Sequence, residues 1–185
     1  MTTEDILKLI AADPWMMKVL NVAHSLRLPD WWIGGGFVRN KVWDKLHRFQ
    51  TATPLGDIDV IYFDPIHLDE ITEKELEQRL TVLLPGFHWS CTNQARMRSE
   101  IHGRQFSSLT EALLEWPETA TSIAVNLNDQ GQLELLAPFG IDDLINLRVS
   151  PTPNFLMQRE KYEARQAQKN WVTKWPRLQF YRFPK

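Results

Sequence analysis

The chain has 185 residues, 43% hydrophobic and 24% charged, values that exclude an intrinsically disordered or low-complexity protein and fit one domain with a small appendage. No stretch reaches the roughly 20 apolar residues of a membrane helix, and Glu4 and Asp5 stand where a secretory signal needs basic residues, so a cytoplasmic protein is expected. The net charge of −2 is unevenly spread: residues 1–150 carry 13 Lys+Arg against 21 Asp+Glu, whereas residues 151–185 carry 8 against 2.

Ile6, Leu9 and Ile10 form a short helical stripe. Asp13-Pro14 reads as an N-cap followed by proline at the first helical position, opening a helix that reaches about Ser25. After the turn at Pro29-Asp30, Trp31-Trp32-Ile33 is a short apolar strand ended by three glycines. A helix from about Phe37 follows, with Val38, Val42 and Leu46 as its buried stripe. Asp57 to Phe63 is β-branched and aromatic, hence a strand, yet it holds two carboxylates. Thr72 and Glu75 spell a capping box before Leu76, Leu80, Leu83 and Leu84, and Pro85-Gly86 stops that helix. A strand is expected near residues 87–95. Ser108 and Glu111 open another helix, which Pro117 closes. Residues 122–127 and 133–136 alternate about the turn at 128–131 as a hairpin, and residues 154–170 form a last, basic helix.

Glycine-rich turn, helix and Asp-x-Asp strand together have a chemical use. Glycines let a phosphate approach the backbone, and the helix that follows offers unpaired N–H groups at the positive end of its dipole. Side chains alternate along a strand, so Asp57 and Asp59 share one face, roughly 7 Å apart. Two such carboxylates suit Mg2+ or Mn2+ bridged to substrate phosphates. Arg39, in the first turn of the helix, is placed to meet those phosphates. The five histidines show no metal-ligand spacing, and Cys91, the single cysteine, excludes an internal disulfide and reads as a small buried hydrophobe. Trp43 and Trp116 read as core.

Gly34-Gly35-Gly36-Phe37-Val38-Arg39-Asn40 followed by Leu55-Gly56-Asp57-Ile58-Asp59-Val60 resembles the signature of the DNA polymerase β-like nucleotidyltransferase superfamily, and its wording is similar to the head of tRNA CCA-adding enzymes and bacterial poly(A) polymerases. The segments 93–97, 116–118, 137–140 and 169–176 look like those of a compact bacterial nucleotidyltransferase-like family. The resemblance implies an α+β (mixed α/β) fold, a mixed sheet flanked by helices with a basic C-terminal helical tail. It also implies that Gly34, Gly35, Gly36 and Arg39 seat the phosphates of an NTP donor, and that Asp57 and Asp59 are catalytic and hold Mg2+ or Mn2+. The superfamily usually supplies a third carboxylate from the next strand, and here Asn93 stands at the expected position. Glu100 or Glu134 are the carboxylates available to compensate, Glu134 if the hairpin pairs beside the Asp57 strand.

The division expected is a nucleotidyltransferase-like domain over 1–150 and a basic helix and tail over 151–185. Two readings of the tail stand: Arg159, Lys161, Arg165 and Lys169 with interleaved aromatics track a phosphate backbone, or they dock on the acidic body. The leading function is metal-dependent transfer of an NMP from an NTP to a small-molecule, RNA-end or protein acceptor. A nucleotide- or RNA-binding module that has lost catalysis is the alternative, and a regulatory protein partner is a third possibility.

Overall fold

The computed structural model describes residues 1–184; Lys185, the final basic residue of the tail, lies outside the described residues. In chain order the elements are α1 (Thr3–Ala11), α2 (Pro14–His24), β1 (Trp32–Gly34), α3 (Gly36–His47), β2 (Ile58–Tyr62), α4 (Glu70–Leu83), β3 (Trp89–Asn93) and α5 (Leu109–Leu114). There follow β4 (Ala124–Leu127), β5 (Leu133–Leu136), α6 (Asp142–Ile145), β6 (Arg148–Val149), α7 (Pro153–Leu156), α8 (Arg159–Lys169), α9 (Trp171–Lys174) and β7 (Gln179–Phe180). Five strands form one mixed sheet in the order β3-β2-β1-β4-β5, with β2 and β3 parallel and the other neighbours antiparallel. This is the mixed sheet flanked by helices expected from the sequence. Among the described residues no helix is long and apolar enough to cross a membrane.

Alternation assigns the two faces of the sheet. Ile33, Ile58, Val60, Tyr62, Cys91 and Val125 point to one side and join Ile6, Ile10, Val19, Leu20, Val38 and Val42 of the first three helices in the main core. Ile61 and Ala124 point to the other side, where α5 brings Leu109 and Leu113 to a smaller cluster edged by Trp32 and Trp116. That second layer covers only part of its face. The uncovered part, beside Asp57 and Asp59, is where a cleft opens.

Asp13 caps α2 through Oδ1, accepting from the N–H groups of Trp15 and Met16. The start of α4 differs from expectation: Asp69 is the N-cap, accepting from the Thr72 N–H at 2.7 Å, so Thr72 is a donor inside the first turn. Leu84, at the C-cap, leaves the helical path and is buried, which turns Leu83 outward to 51% exposure. The basic helix expected over 154–170 is two helices, α7 and α8, because Gln158 leaves helical geometry between them.

The segment from 151 onward folds back on the body. Trp171 and Trp175 meet Trp43 edge-on at centroid distances of 5.5 and 5.1 Å, and all three are buried. Arg165 pairs with Glu118 and Lys161 with Glu100, so the tail's charges do meet acids of the body.

Candidate active site

The Asp-x-Asp strand and the glycine turn meet in a cleft of about 450 Å³. Its floor is the sheet: Asp59 and Ile61 from β2, Asp57 immediately before that strand, and Thr92 from β3. One side is the start of α3, with Gly35, Gly36, Arg39 and Asn40, continued by the 54–56 loop. The rest of the lining comes from Trp116, Pro117 and Thr121 and from the C-terminal segment through Arg165, Lys169, Trp171 and Lys174. Two carboxylates and the cations Arg39, Arg165, Lys169 and Lys174 therefore line one cleft.

Gly35 is the hinge of the turn. Its φ of +55° lies in the left-handed region, where glycine carries no Cβ penalty, and its N–H donates to the Ile123 carbonyl at 2.8 Å. No side chain caps the helix that starts there. The first N–H groups of α3 are thus left for an anion. Gly34 behaves differently. A Cβ there would stand 2.5 Å from Cη2 of Trp116, and the cleft lining includes Gly35 and Gly36 but not Gly34. Gly34 makes room for an indole, and Trp116, read from sequence as core, is half-buried at the cleft edge.

Arg39 is buried with its guanidinium 4.4 Å from the Trp171 ring centroid and 5.2 Å from that of Trp43. Nη2 donates to Asn40 Oδ1 at 2.8 Å, while Nε is buried with no hydrogen-bond partner. Burial lowers its pKa to about 10, opposed by the nearby charge of Glu118 and furthered by that of Arg165, so it remains a cation at neutral pH. A pre-oriented guanidinium with an unspent donor suits a phosphate oxygen.

Asp59 is pushed up to about 6 by burial and then by the charge of Asp57; Lys169, Arg39 and a hydrogen bond from Ser90 act in the opposite direction. Among the described residues neither aspartate forms an ion pair, and no group of three acidic, histidine or cysteine side chains gathers to hold a metal. Two adjacent carboxylates, one already resisting its charge, are a donor set that Mg2+ or Mn2+ fits, the remaining positions falling to water and substrate phosphate.

The third-carboxylate expectation is corrected. The parallel register pairs Asp59 with Ser90, Ile61 with Thr92 and Tyr62 with Asn93, so Ser90 and Thr92 share the site face and Asn93 points away. Asn93 is fully buried; its amide donates to the carbonyls of Asp64 and His67 and accepts from the N–H groups of Asp64 and Ala95. It ties the chain after β2 to β3. Glu134 lies on β5, three strands from β2, and accepts from Asn128 in its own hairpin. The hairpin pairs beside β1, not beside the Asp57 strand. Glu100 pairs with Lys161 outside the cleft.

Sequence reading gave Glu118 no role beyond its place in the 116–118 segment. Its carboxylate has no exposure and accepts from Arg165 Nε and Gln166 Nε2, both at 2.7 Å, and from Thr121 Oγ1 at 2.8 Å. It fixes Arg165 at the cleft wall. Its pairing could not be read locally, because Arg165 and Gln166 lie on a tail helix almost fifty residues away.

A family model described as Nucleotidyltransferase matches residues 21–180. The chain belongs to the nucleotidyltransferase family. It is similar over 98% of its length to a protein whose NMR structure reveals a CCA-adding enzyme head domain, with 33% identity, a TM-score of 0.84 and 97% of that chain covered. It also shares the fold of a CCA-adding enzyme in complex with CTP, at 16% identity and TM-score 0.60, over 98% of this chain and 44% of that one. The Thermotoga maritima CCA-adding enzyme complexed with tRNA_CCA is similar over 95% of this chain and 42% of its own, at 16% identity and TM-score 0.59. This nucleotidyltransferase thus spans less than half of those two CCA-adding enzymes. A search of curated proteins finds no match.

Proposed function

We propose that this nucleotidyltransferase moves a nucleoside monophosphate from an NTP to an acceptor hydroxyl or phosphate in a metal-dependent reaction that releases pyrophosphate. The observation that carries the reading is the gathering, within one cleft, of the Asp57–Asp59 pair, the uncapped start of α3 and the cations Arg39, Arg165, Lys169 and Lys174. The N–H groups of the first turn of α3 and the Arg39 guanidinium bind the triphosphate and orient its α-phosphorus toward the carboxylates. Lys169 and Arg165 neutralise the charge that develops on the departing pyrophosphate. Asp57 and Asp59 hold Mg2+ or Mn2+, which when bound would polarise the phosphoryl oxygens and lower the pKa of the attacking group. Residues 1–150 supply the carboxylates and the helix start, and the tail from 151 supplies most of the cationic wall. Relatives of this fold hold CTP and tRNA, which makes an NTP the donor and an RNA end the first acceptor to test. A cytoplasmic location, where NTPs are available, goes with this reading.

Calorimetric titration of each NTP, with and without Mg2+ or Mn2+, tests the donor site. Metal-dependent binding by wild type and its loss in Asp57→Ala/Asp59→Ala are expected, with folding retained because Asp57 is exposed and Asp59 lies on the open side. Equal binding by the double variant would sink the assignment. A second reading, nucleotide binding without catalysis, is favoured by Thr92 occupying the β3 position on the site face where a carboxylate would complete the set. Binding of NTP with no transfer to any acceptor, and gain of metal affinity in Thr92→Asp, would select it.

A further inference from the structure

We propose that a cationic lip beside the cleft, built from the end of α3 and the segment after α8, carries the phosphate backbone of a single-stranded nucleic acid whose end enters the cleft as acceptor. The inference rests on nucleotidyl transfer at that cleft and names the class of its acceptor.

Residues 45–56 and 170–184 contain no Asp or Glu, in a chain whose first 150 residues carry 21. Their cations include Lys45, Arg48, Lys174 and Arg177, all exposed. Among the described residues none of these four forms an ion pair, although ten such pairs occur elsewhere. The two segments are joined although they lie far apart in sequence. Arg177 Nη1 donates to the Leu46 carbonyl at 2.6 Å, and its N–H donates to His47 Nε2 at 3.2 Å. Beneath them, Trp175 Nε1 donates to Asp44 Oδ1 at 2.7 Å. Each segment then runs into the cleft, one through Pro54, Leu55 and Gly56, the other through Trp171, Lys174 and Trp175.

The cations therefore form one surface that begins at the reacting centre and continues outside it. Phe49 stands in the same surface at 41% exposure, with the His47 ring 5.4 Å away. Unpaired cations with an exposed aromatic among them match a strand that offers a phosphate and a stackable base at each step. A small anionic acceptor would end inside the cleft and leave Lys45, Arg48 and Phe49 unused, since none of the three lines it. An acidic peptide would use the cations but would have no flat base for Phe49.

The test is fluorescence anisotropy across a salt series with a short labelled single-stranded RNA, the same sequence as DNA, its duplex, and polyglutamate of matched charge. Single strands are expected to bind best, and a preference between RNA and DNA names the strand. Lys45→Gln/Arg48→Gln should reduce the slope of log affinity against log salt by about 1.4, roughly 0.7 for each lost phosphate contact. Lys45→Gln alone, which leaves Arg48 at its left-handed φ of +59°, should reduce it by about 0.7. Phe49→Ala should weaken single-strand binding about fivefold or more at fixed salt. NTP binding in the calorimeter should be unchanged in all three variants. No strand binding by wild type, a wild-type slope in the double variant, or equal affinity for polyglutamate overturns the proposal. NTP binding without strand binding removes the lip and leaves the donor site; strand binding without NTP binding does the reverse.

Discussion

Arg165 on α8 reaches back 47 residues in sequence to Glu118, a carboxylate with no exposure, and so joins the segment bearing the cleft's cations to the turn beside Trp116. Removing Arg165 strands a buried charge, whereas removing the charge of Glu118 leaves a guanidinium that is already 29% exposed and can turn to water. Arg165→Met is therefore expected to cost about 3–5 kcal/mol of stability and Glu118→Gln clearly less. Urea unfolding followed by tryptophan fluorescence checks the order, and a larger loss in Glu118→Gln would contradict the account.

Asp59 gives a pH dependence of definite sign. Its folded pKa of about 6 lies above the ordinary 3.8, so between those values the folded chain retains a proton that the unfolded chain has released. This contribution to stability is complete at low pH and is lost as pH rises through about 6. In metal-free buffer the Tm advantage of Asp59→Asn over wild type should be small at pH 4, grow through pH 6 and level off. A constant difference across that range would show that Asp59 is not strained by burial and Asp57.

The contact between Gly34 and Trp116 predicts a coupled pair. Gly34→Ala forces the indole aside, at a cost of about 1–3 kcal/mol typical of overpacking. In a Trp116→Ala background the same change should cost much less, and a double-mutant cycle with no coupling would place the indole elsewhere.

Asp44 accepts from Trp175 Nε1 at 2.7 Å and from the N–H and Oγ1 of Thr53 at 2.7 and 2.6 Å, so one buried carboxylate braces both the loop and the tail beside the cleft. Asp44→Ala leaves the Trp175 indole N–H buried without an acceptor and should cost about 1–3 kcal/mol. NTP affinity should fall with it. Chemical denaturation and calorimetry on the same preparation check both, with Thr53→Ala as the milder comparison.

Features encoded by neighbouring residues were legible before the structure. The Asp13-Pro14 cap, the Ser108 cap, the hairpin about 128–131 and the glycine turn before α3 each depend on a few consecutive side chains, and each stands where the spacing placed it. Features that depend on register were not. Strand side chains alternate, so placing the third position at Asn93 instead of Thr92 was a one-residue difference that changes the face of the sheet. Pairings across the fold were also hidden. The tail's charge allowed docking on the body or tracking of a phosphate backbone; Arg165 and Lys161 meet acids of the body, while Lys169 and Lys174 line the cleft. Composition alone cannot divide four cations between two tasks.

The three-tryptophan contact among Trp43, Trp171 and Trp175 also bears on the order of folding. The carboxylate strand and the glycine turn lie close together in sequence, but the bond from Trp175 to Asp44 closes a separation of 131 residues. Loop closure over that distance is entropically late relative to local helices and hairpins. The acidic half of the cleft can therefore assemble first, with Arg39 still uncovered on one face. Only when the tail tryptophans dock do Lys169 and Lys174 join the cleft lining, so the proposed donor site is completed by a late long-range step rather than by the formation of the sheet.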